Sequence, residues 1–401
     1  MTTTGMTTAE LLAAKGLAAE MKKELVENIL PYWMKKMCNG EEGFYGRITG
    51  EEVLEPAAPV GGIMTARILW TFASAYRVLG NQEYLDMALK AKNLIINYFY
   101  DSEFGGTYWS LNPDYTPLDT KKQIYAIAFT IYGLAELHRA TGDAEALEYA
   151  VKLFHSIEDH SFDQEKDGYF EAFTREWEPI EDMRLSEKDA NESKTMNTHL
   201  HILEPYTNLY LLTNDGRVAD AVARLLDIFH SRIYNEESGH LGSFFSSEWK
   251  RLDSEISYGH DIESSWLICE AADAIGASER MYYDMADRLV LACEDGFRDD
   301  GSLVYRCESG SWDEERHWWV QAEAVVGLMK MYRRSGDERW LDKCRKVWEY
   351  ILGNMVDRQG GEWYWSRLSD GSVNMNEDKA GFWKCPYHNG RMCVEMLKEL
   401  V

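Results

Sequence analysis

The stretch TGDAEALEYA, residues 141–150, sets a glycine between the end of one apolar-periodic run and the start of the next. Glycine enters the left-handed conformation that ends a helix at little cost, so this arrangement predicts two helices joined by a tight turn. It recurs in LGNQEYLDMA (79–88), NDGRVADAV (214–222), GASERMYYDMA (276–286) and SGDERWLDKC (335–344). The marker glycines 80, 142, 216, 276 and 336 are spaced by 62, 74, 60 and 60 residues. A second series of short Gly–aromatic pieces keeps the same rhythm: EEGFYGRI, FGGTYWSL, KDGYFEAF, GHLGSFFS, DGSLVYRC and QGGEWYWS. Its marker glycines 43, 106, 168, 242, 301 and 361 step by 63, 62, 74, 59 and 60. Such a period holds two helices and a loop. Both series contain the step of 74, so the extra residues lie between Gly168 and Gly216, and the polar run EDMRLSEKDANESK (181–194) is the insertion.

Twelve helical patterns fall between these markers, roughly 8–37, 61–79, 82–99, 120–141, 143–158, 196–213, 216–234, 259–275, 278–296, 316–335, 337–355 and 385–400. Ten of them form five complete Gly-joined hairpins, and the first and last helices are left to pair with each other. Six hairpins in a ring make an all-α, double-walled (α/α)6 barrel whose alternate helices form the inner wall, with Gly–aromatic loops or short strands at one mouth. An open solenoid shares the period but gives its terminal helices no reason to form a sixth pair. One catalytic domain spanning 1–401 is expected.

Composition fits that reading and excludes others. The chain has 401 residues, 45% hydrophobic and 13% aromatic, with 8 prolines, as expected of a packed helical globule. A net charge of -26 argues against nucleic-acid or anionic-membrane partners. No apolar segment of membrane-spanning length occurs, and the N-terminal stretch reads as an amphipathic helix rather than a secretion signal. Seven scattered cysteines with no C-x-x-C pair suggest neither a disulfide framework nor a zinc ribbon, which suits a reducing cytoplasm. A monomer is favoured.

The inner helices should be those that follow each Gly–aromatic loop, and their first turns should line one mouth. Unusual residues gather there: Arg67 in MTARILW, Tyr125 in KQIYAIAF, Asn197 and His201 in MNTHLHILE, His260 in GHDIESSWL, Trp318 and Trp319 in HWWVQAEAV, and His388 in FWKCPYHNGRM. Asn197, His201, Glu204 and Asn208 form a polar stripe at i, i+4, i+7 and i+11, which suits a cavity wall. His199 falls on the opposite face with Leu203 and Tyr206, so a structural role is expected for it. His260 shares a side with Glu263, Ser264 and Trp266; Trp319 and Glu323 stand at i, i+4, and His388 and Arg391 at i, i+3. Trp266, Trp319 and Trp383 beside acids and amides look like a sugar subsite, ring faces meeting C–H patches and polar groups meeting hydroxyls.

Several chemistries suit such a set. A zinc site could draw on His201, His260 and His388, but no dense ligand motif supports a metal. Dinucleotide, P-loop and serine-nucleophile motifs are absent, so a redox cofactor is not indicated. A glycosidase could cast Glu263 and Glu323 as its carboxylate pair. A carbohydrate epimerase or a mannose/fructose-type aldose–ketose isomerase must remove a proton beside an aldehyde near neutral pH, work suited to imidazole. Arg67, Tyr125 and the helix N-termini could then stabilise the oxyanion. A binding protein without turnover is the remaining class.

The segments MNTHLHILEPYTNLY, GHDIESSWLICEAA, HWWVQAEAVVGL and DKAGFWKCPYHNGRMCVE resemble motifs of the cellobiose 2-epimerases, in the N-acylglucosamine 2-epimerase superfamily, and the resemblance runs over essentially the whole chain. It implies an (α/α)6 barrel, no cofactor, and reversible C2 epimerisation of the reducing-end glucose of a β-1,4-linked disaccharide, cellobiose giving glucosylmannose and lactose giving epilactose. Carried over residue by residue, it implies His260 and His388 as the opposed acid/base pair and His201 as a support of the enediolate. The substrate-contacting and supporting positions it implies are Arg67, Tyr125, Asn197, Glu263, Trp266, Trp319, Glu323 and Trp383.

Overall fold

The computed structural model describes residues 8–41, 43–187 and 189–398. Among them are twelve long helices in chain order. The inner six are α2 (Gly62–Leu79), α4 (Ile124–Thr141), α6 (Met196–Thr213), α8 (Tyr258–Ile275), α10 (Trp318–Ser335) and α12 (Tyr387–Lys398). The outer six are α1 (8–37), α3 (82–99), α5 (Ala144–His160), α7 (216–233), α9 (280–296) and α11 (338–355). Burial separates the two walls. In α2 all of residues 62–75 are buried, whereas α7 buries a stripe at Val218, Ala221, Val222, Leu225 and Leu226, the i, i+3, i+4, i+7, i+8 pattern of a helix with one wet face. Each inner helix packs against the next, α12 packs back on α2, and α1 lies against α12, so the ring is closed.

The turn in TGDAEALEYA is built as its glycine requires, and its neighbour contributes as well. Gly142 closes α4 at φ 77°, and the next residue, Asp143, caps α5 by accepting the Ala146 N–H at 3.0 Å. Gly80–Asn81 and Gly336–Asp337 repeat the device. The third hairpin departs from expectation: Asn214, not Gly216, takes the left-handed position at φ 49°, Asp215 is the cap, and Gly216 is already the first residue of α7. Asparagine tolerates that conformation better than other side chains, so the turn survives without glycine.

Short antiparallel strands staple neighbouring repeats at one mouth. Val60–Gly61 pairs with Ser110–Leu111, Lys122–Gln123 with Ala172–Phe173, and Lys194–Thr195 with Phe244–Phe245. Glu255–Ser257 pairs with Arg306–Glu308, and Arg316–His317 with Ser366–Arg367. An Ile48–Ala380 bridge joins the first loop to the last and completes the circuit. In each strand pair one member leads directly into an inner helix, so the mouth's rim and the helix N-termini are positioned together. These strands displace the starts of two expected helices, α4 and α10, which begin at Ile124 and Trp318 rather than near 120 and 316; α12 begins at Tyr387 rather than near 385, with no strand before it.

Candidate active site

The first turns of the inner helices open on a cavity of about 720 Å³. Arg67, Tyr125, Asn197, His201, His260, Glu263, Trp319, Trp383 and His388 all line it. Asn197, His260, Trp319 and Trp383 are only half-buried and offer surface to a ligand, while Arg67, Tyr125, His201 and His388 are buried behind them. Gly259 permits one close approach: a Cβ there would stand 2.4 Å from the Trp319 indole, which lies over the first turn of α8.

The three histidines are held in different ways. His388 Nδ1 faces Glu323 Oε1 at 2.7 Å, leaving Nε2 for the cavity. His201 Nδ1 faces Glu204 Oε2 at 3.3 Å, and its ring packs against Tyr125 and Phe129. His260 Nδ1 meets the Ser257 hydroxyl at 2.7 Å, and its ring lies 4.8 Å from the Trp319 indole, which is in turn 5.6 Å from the His388 ring. Burial lowers the pKa of all three imidazoles, His260 to about 3 and His201 to about 4. His388 is driven well below its ordinary value by burial and by the Arg67 and Arg391 charges. At neutral pH these are neutral rings able to accept a proton.

Beneath them lies a buried carboxylate layer organised by Arg391. Its Nη1 donates to Glu204 Oε1 and its Nη2 to Glu263 Oε1 and, at 2.7 Å, to Glu323 Oε1. Burial opposes ionisation of Glu204, but Arg391 and the hydrogen bonds from His201 and Tyr387 outweigh it and hold the carboxyl at about 2. Glu263 is pushed well above the carboxylate range by burial and by the charge of Glu323. Its Oε2 has no hydrogen-bond partner and can carry the proton, whereas both oxygens of Glu323 already accept N–H donors. Burial raises Glu323 as well, but Arg391 and the N–H donors on both its oxygens oppose that shift, so of the pair Glu263 is the one placed to hold the proton.

Two residues expected at the sugar lie behind the cavity wall. Trp266 is 1% exposed, donates Nε1–H to Glu323 Oε2 at 3.2 Å and is covered by the Arg391 guanidinium. Glu323 is likewise 1% exposed, with both oxygens engaged below His388. Neither can stack on or bond a ligand in the cavity, because their faces and lone pairs are already taken. Among the described residues, the group whose ligand atoms come within 4.8 Å of one another is Glu263, Glu323 and His388, not the three histidines of a zinc site. Arg391 already supplies the positive charge between those carboxylates. His199 is on the far face as expected: it accepts the Tyr169 N–H at 2.9 Å and faces the Thr195 carbonyl at 2.6 Å.

The outer half of the cavity comes from residues that the sequence marked only as repeat signals. Phe244, Tyr305 and Trp365 line it, and they are the aromatics of the fourth, fifth and sixth Gly–aromatic pieces. His317 stacks on Tyr305 with ring centroids 3.9 Å apart, and Glu255 and Arg306 stand nearby as an ion pair at 2.8 Å. The insertion bends over the same side: Met183, Leu185, Ser186 and Asp189 line the cavity. It is braced by Ser186 to Asp189 and Met183 to Asn191 hydrogen bonds and by Gln123 Nε2 donating to the Met183 carbonyl.

The model of the N-acylglucosamine 2-epimerase (GlcNAc 2-epimerase) family matches residues 43–390. A cellobiose 2-epimerase of Bacteroides fragilis is 54% identical over 96% of this chain and 99% of its own length. The solved cellobiose 2-epimerase of Bacillus thermoamylovorans is 40% identical and superposes with a TM-score of 0.93 over 96% of this chain and 100% of that one. A D-mannose isomerase of Marinomonas mediterranea is more distant, at 20% identity over 94% of this chain and 96% of its own. The chain belongs to the N-acylglucosamine 2-epimerase family, and within it to the cellobiose 2-epimerases.

Proposed function

We propose that the chain epimerises, reversibly, the reducing-end glucose of a β-1,4-linked disaccharide at C2, converting cellobiose to 4-O-β-D-glucosyl-D-mannose and lactose to epilactose. The observation that carries this reading is the pair of neutral imidazoles, His260 and His388, in one cavity with Arg67 and Tyr125. After ring opening one imidazole accepts the C2 proton through its free nitrogen, and the electron pair moves through C1 to the carbonyl oxygen to give a cis-enediolate. Arg67, whose Nη2 bonds Tyr125 at 2.7 Å, and His201 support the oxygen that gains charge. The second imidazole has become an imidazolium by taking the anomeric hydroxyl proton as the ring opened, solvent protonating the ring oxygen. Rotation about C2–C3 presents the other face of C2 to it, and it gives its proton there. The first imidazolium then protonates O1 as the ring closes, and the ring oxygen returns its proton to solvent. The Trp319 and Trp383 faces hold the reacting sugar, and Asn197 and Glu263 offer hydrogen bonds to its hydroxyls. The loop aromatics and the insertion hold the second sugar.

The proposed enzyme is a single catalytic domain that acts as a monomer. The described residues contain no helix long and apolar enough to cross a membrane. All seven cysteines are free, which favours a reducing cytoplasm. The hydrolase reading suffers from geometry: Glu323 sits below His388 with no free lone pair directed at a sugar. Incubation with cellobiose in deuterium oxide, followed by NMR, tests the proposal. Glucosylmannose carrying deuterium at C2 is expected; free glucose would favour hydrolysis, a ketose product would favour isomerisation, and binding without turnover would remove the enzymatic reading.

A further inference from the structure

We infer that Arg391 is a positioning residue for this reaction, one guanidinium that fixes both His201 and His388 through the carboxylates behind them. The inference rests on the epimerase reading. Glu204 bonds His201 and Glu323 bonds His388, and those two carboxylates meet at opposite nitrogens of the same fork, Nη1 and Nη2. The guanidinium is fully buried, with Tyr387 at 4.4 Å and Trp266 at 4.8 Å from its central carbon, so its plane is set by packing as well as by charge. The Tyr387 hydroxyl closes the circuit by donating to Glu204 at 2.6 Å while accepting from Nη1. Each imidazole is thereby obliged to carry its proton on Nδ1, because that nitrogen faces an ionised carboxylate. Nε2 is then a lone pair turned toward the cavity. A lysine keeps the charge but, as a single point donor, does not hold two carboxylates at a fixed separation.

Charge and orientation can be read separately. His388 faces Arg67 from α2, His201 from α6, His260 and Glu263 from α8, Trp319 and Glu323 from α10, and Tyr387 and Arg391 on its own helix. Of the cations in that set, Arg391 is the one in contact with the carboxylates. Arg391→Lys should lower kcat about 100-fold, the scale of a misplacement near 1 Å, with KM changed less than about threefold and the acid limb of the pH profile nearly unmoved. Arg391→Met, which also removes the charge, should in addition shift that limb to higher pH, since an imidazolium becomes easier to form. Cellobiose turnover followed by NMR from pH 3 to 9, alongside melting temperatures, gives both readings. Parental kcat in Arg391→Lys, or a loss that vanishes once rates are divided by the folded fraction, overturns the inference. Nitrogen-15 NMR of the unmodified protein decides the matter even if the variants do not fold: the Nδ1–H tautomer is expected for His201 and His388 between pH 6 and 8, and Nε2–H at either refutes the fork. Failure of the unmodified protein to exchange deuterium at C2 would sink the epimerase reading while leaving these tautomers as they are.

Discussion

Replacing Glu323 by glutamine changes one atom's hydrogen-bonding sense and almost nothing else, which makes it a sharp test of the His388 assignment. In the native arrangement Oε1 accepts from His388 Nδ1 and Arg391 Nη2, both at 2.7 Å, and Oε2 accepts from Trp266 Nε1 at 3.2 Å. An amide nitrogen in the first position meets two donors, and in the second it meets the indole N–H. If it turns toward His388, the imidazole can pair with it only by moving its own proton to Nε2, the atom required to accept the C2 proton. A hydrogen bond to a charged partner contributes about 1.5–3 kcal/mol, and roughly 1.36 kcal/mol is tenfold in rate, so lost orientation alone predicts a fall of about 10- to 150-fold. A wrong tautomer adds to this, and the corresponding carboxylate-to-amide change in serine proteases reaches about 10⁴. We therefore expect kcat for cellobiose epimerisation to fall between about 10² and 10⁴, with KM within about threefold because Glu323 does not reach the cavity. The assay is the appearance of the mannose-type anomeric signal and loss of the C2 proton in deuterium oxide. A kcat within threefold of the parent, in protein with an unchanged melting temperature, refutes the reasoning.

The remaining expectations concern the buried histidines. His199→Ala removes both hydrogen bonds of that ring and leaves the Tyr169 N–H unsatisfied in the interior, so urea unfolding should show a loss of about 3–5 kcal/mol from the orphaned donor and the cavity; folded variant should keep kcat within about twofold, and a large specific loss of activity would move His199 into the chemistry. His199 and His201 both have folded pKa values near 4 because they are buried, against 6.5 in an open chain. The unfolded chain therefore takes up protons first, so stability is complete above pH 6.5 and falls as pH drops toward 4, by up to about 3 kcal/mol per histidine. Unfolding free energies that stay flat from pH 7 to 4.5 would contradict this burial.

The fold was legible because its signal is periodic and local. A left-handed glycine followed by a polar cap fixes each hairpin within a few residues, and counting hairpins then fixes the ring. The exception at Asn214 shows the limit, since the left-handed position is a backbone requirement that asparagine also meets, and nearby Gly216 imitated the marker from inside the next helix. Helical spacing separated His199 from His201 and brought eight site residues to the cavity, which Trp383 joins from the segment before α12. It could not say how deep each side chain lies. Trp266 and Glu323 point to the correct side of their helices, yet each is covered by a residue from α12, the helix most distant in sequence from the chain's start. Tyr305, His317 and Trp365 escaped for the opposite reason: they stand on loops and strands, where helical periodicity carries no information, although the Gly–aromatic repeat had marked two of their segments.

The order of the layers explains why this barrel should move a proton on carbon rather than cleave a glycosidic bond. A fold of this kind accepts many chemistries, and the choice rests with what faces the substrate. Here imidazoles face the reacting sugar, and the carboxylates of Glu204 and Glu323 stand one layer deeper, tied to a guanidinium. Asn197, Trp319 and His388 are each the second residue of their helices and His260 is the third, so the reacting groups sit at the positive ends of helix dipoles. That placement works against imidazolium and in favour of an anion, as burial also does. A neutral base and a stabilised enediolate are thus favoured by the same field. A glycosidase needs a different balance, with a protonated carboxyl exposed to the leaving oxygen and a second carboxylate at the anomeric carbon. Glu263 has the raised pKa of such an acid. Its would-be partner Glu323 has each oxygen committed elsewhere, and freeing it would cost His388 its orientation and Trp266 its acceptor.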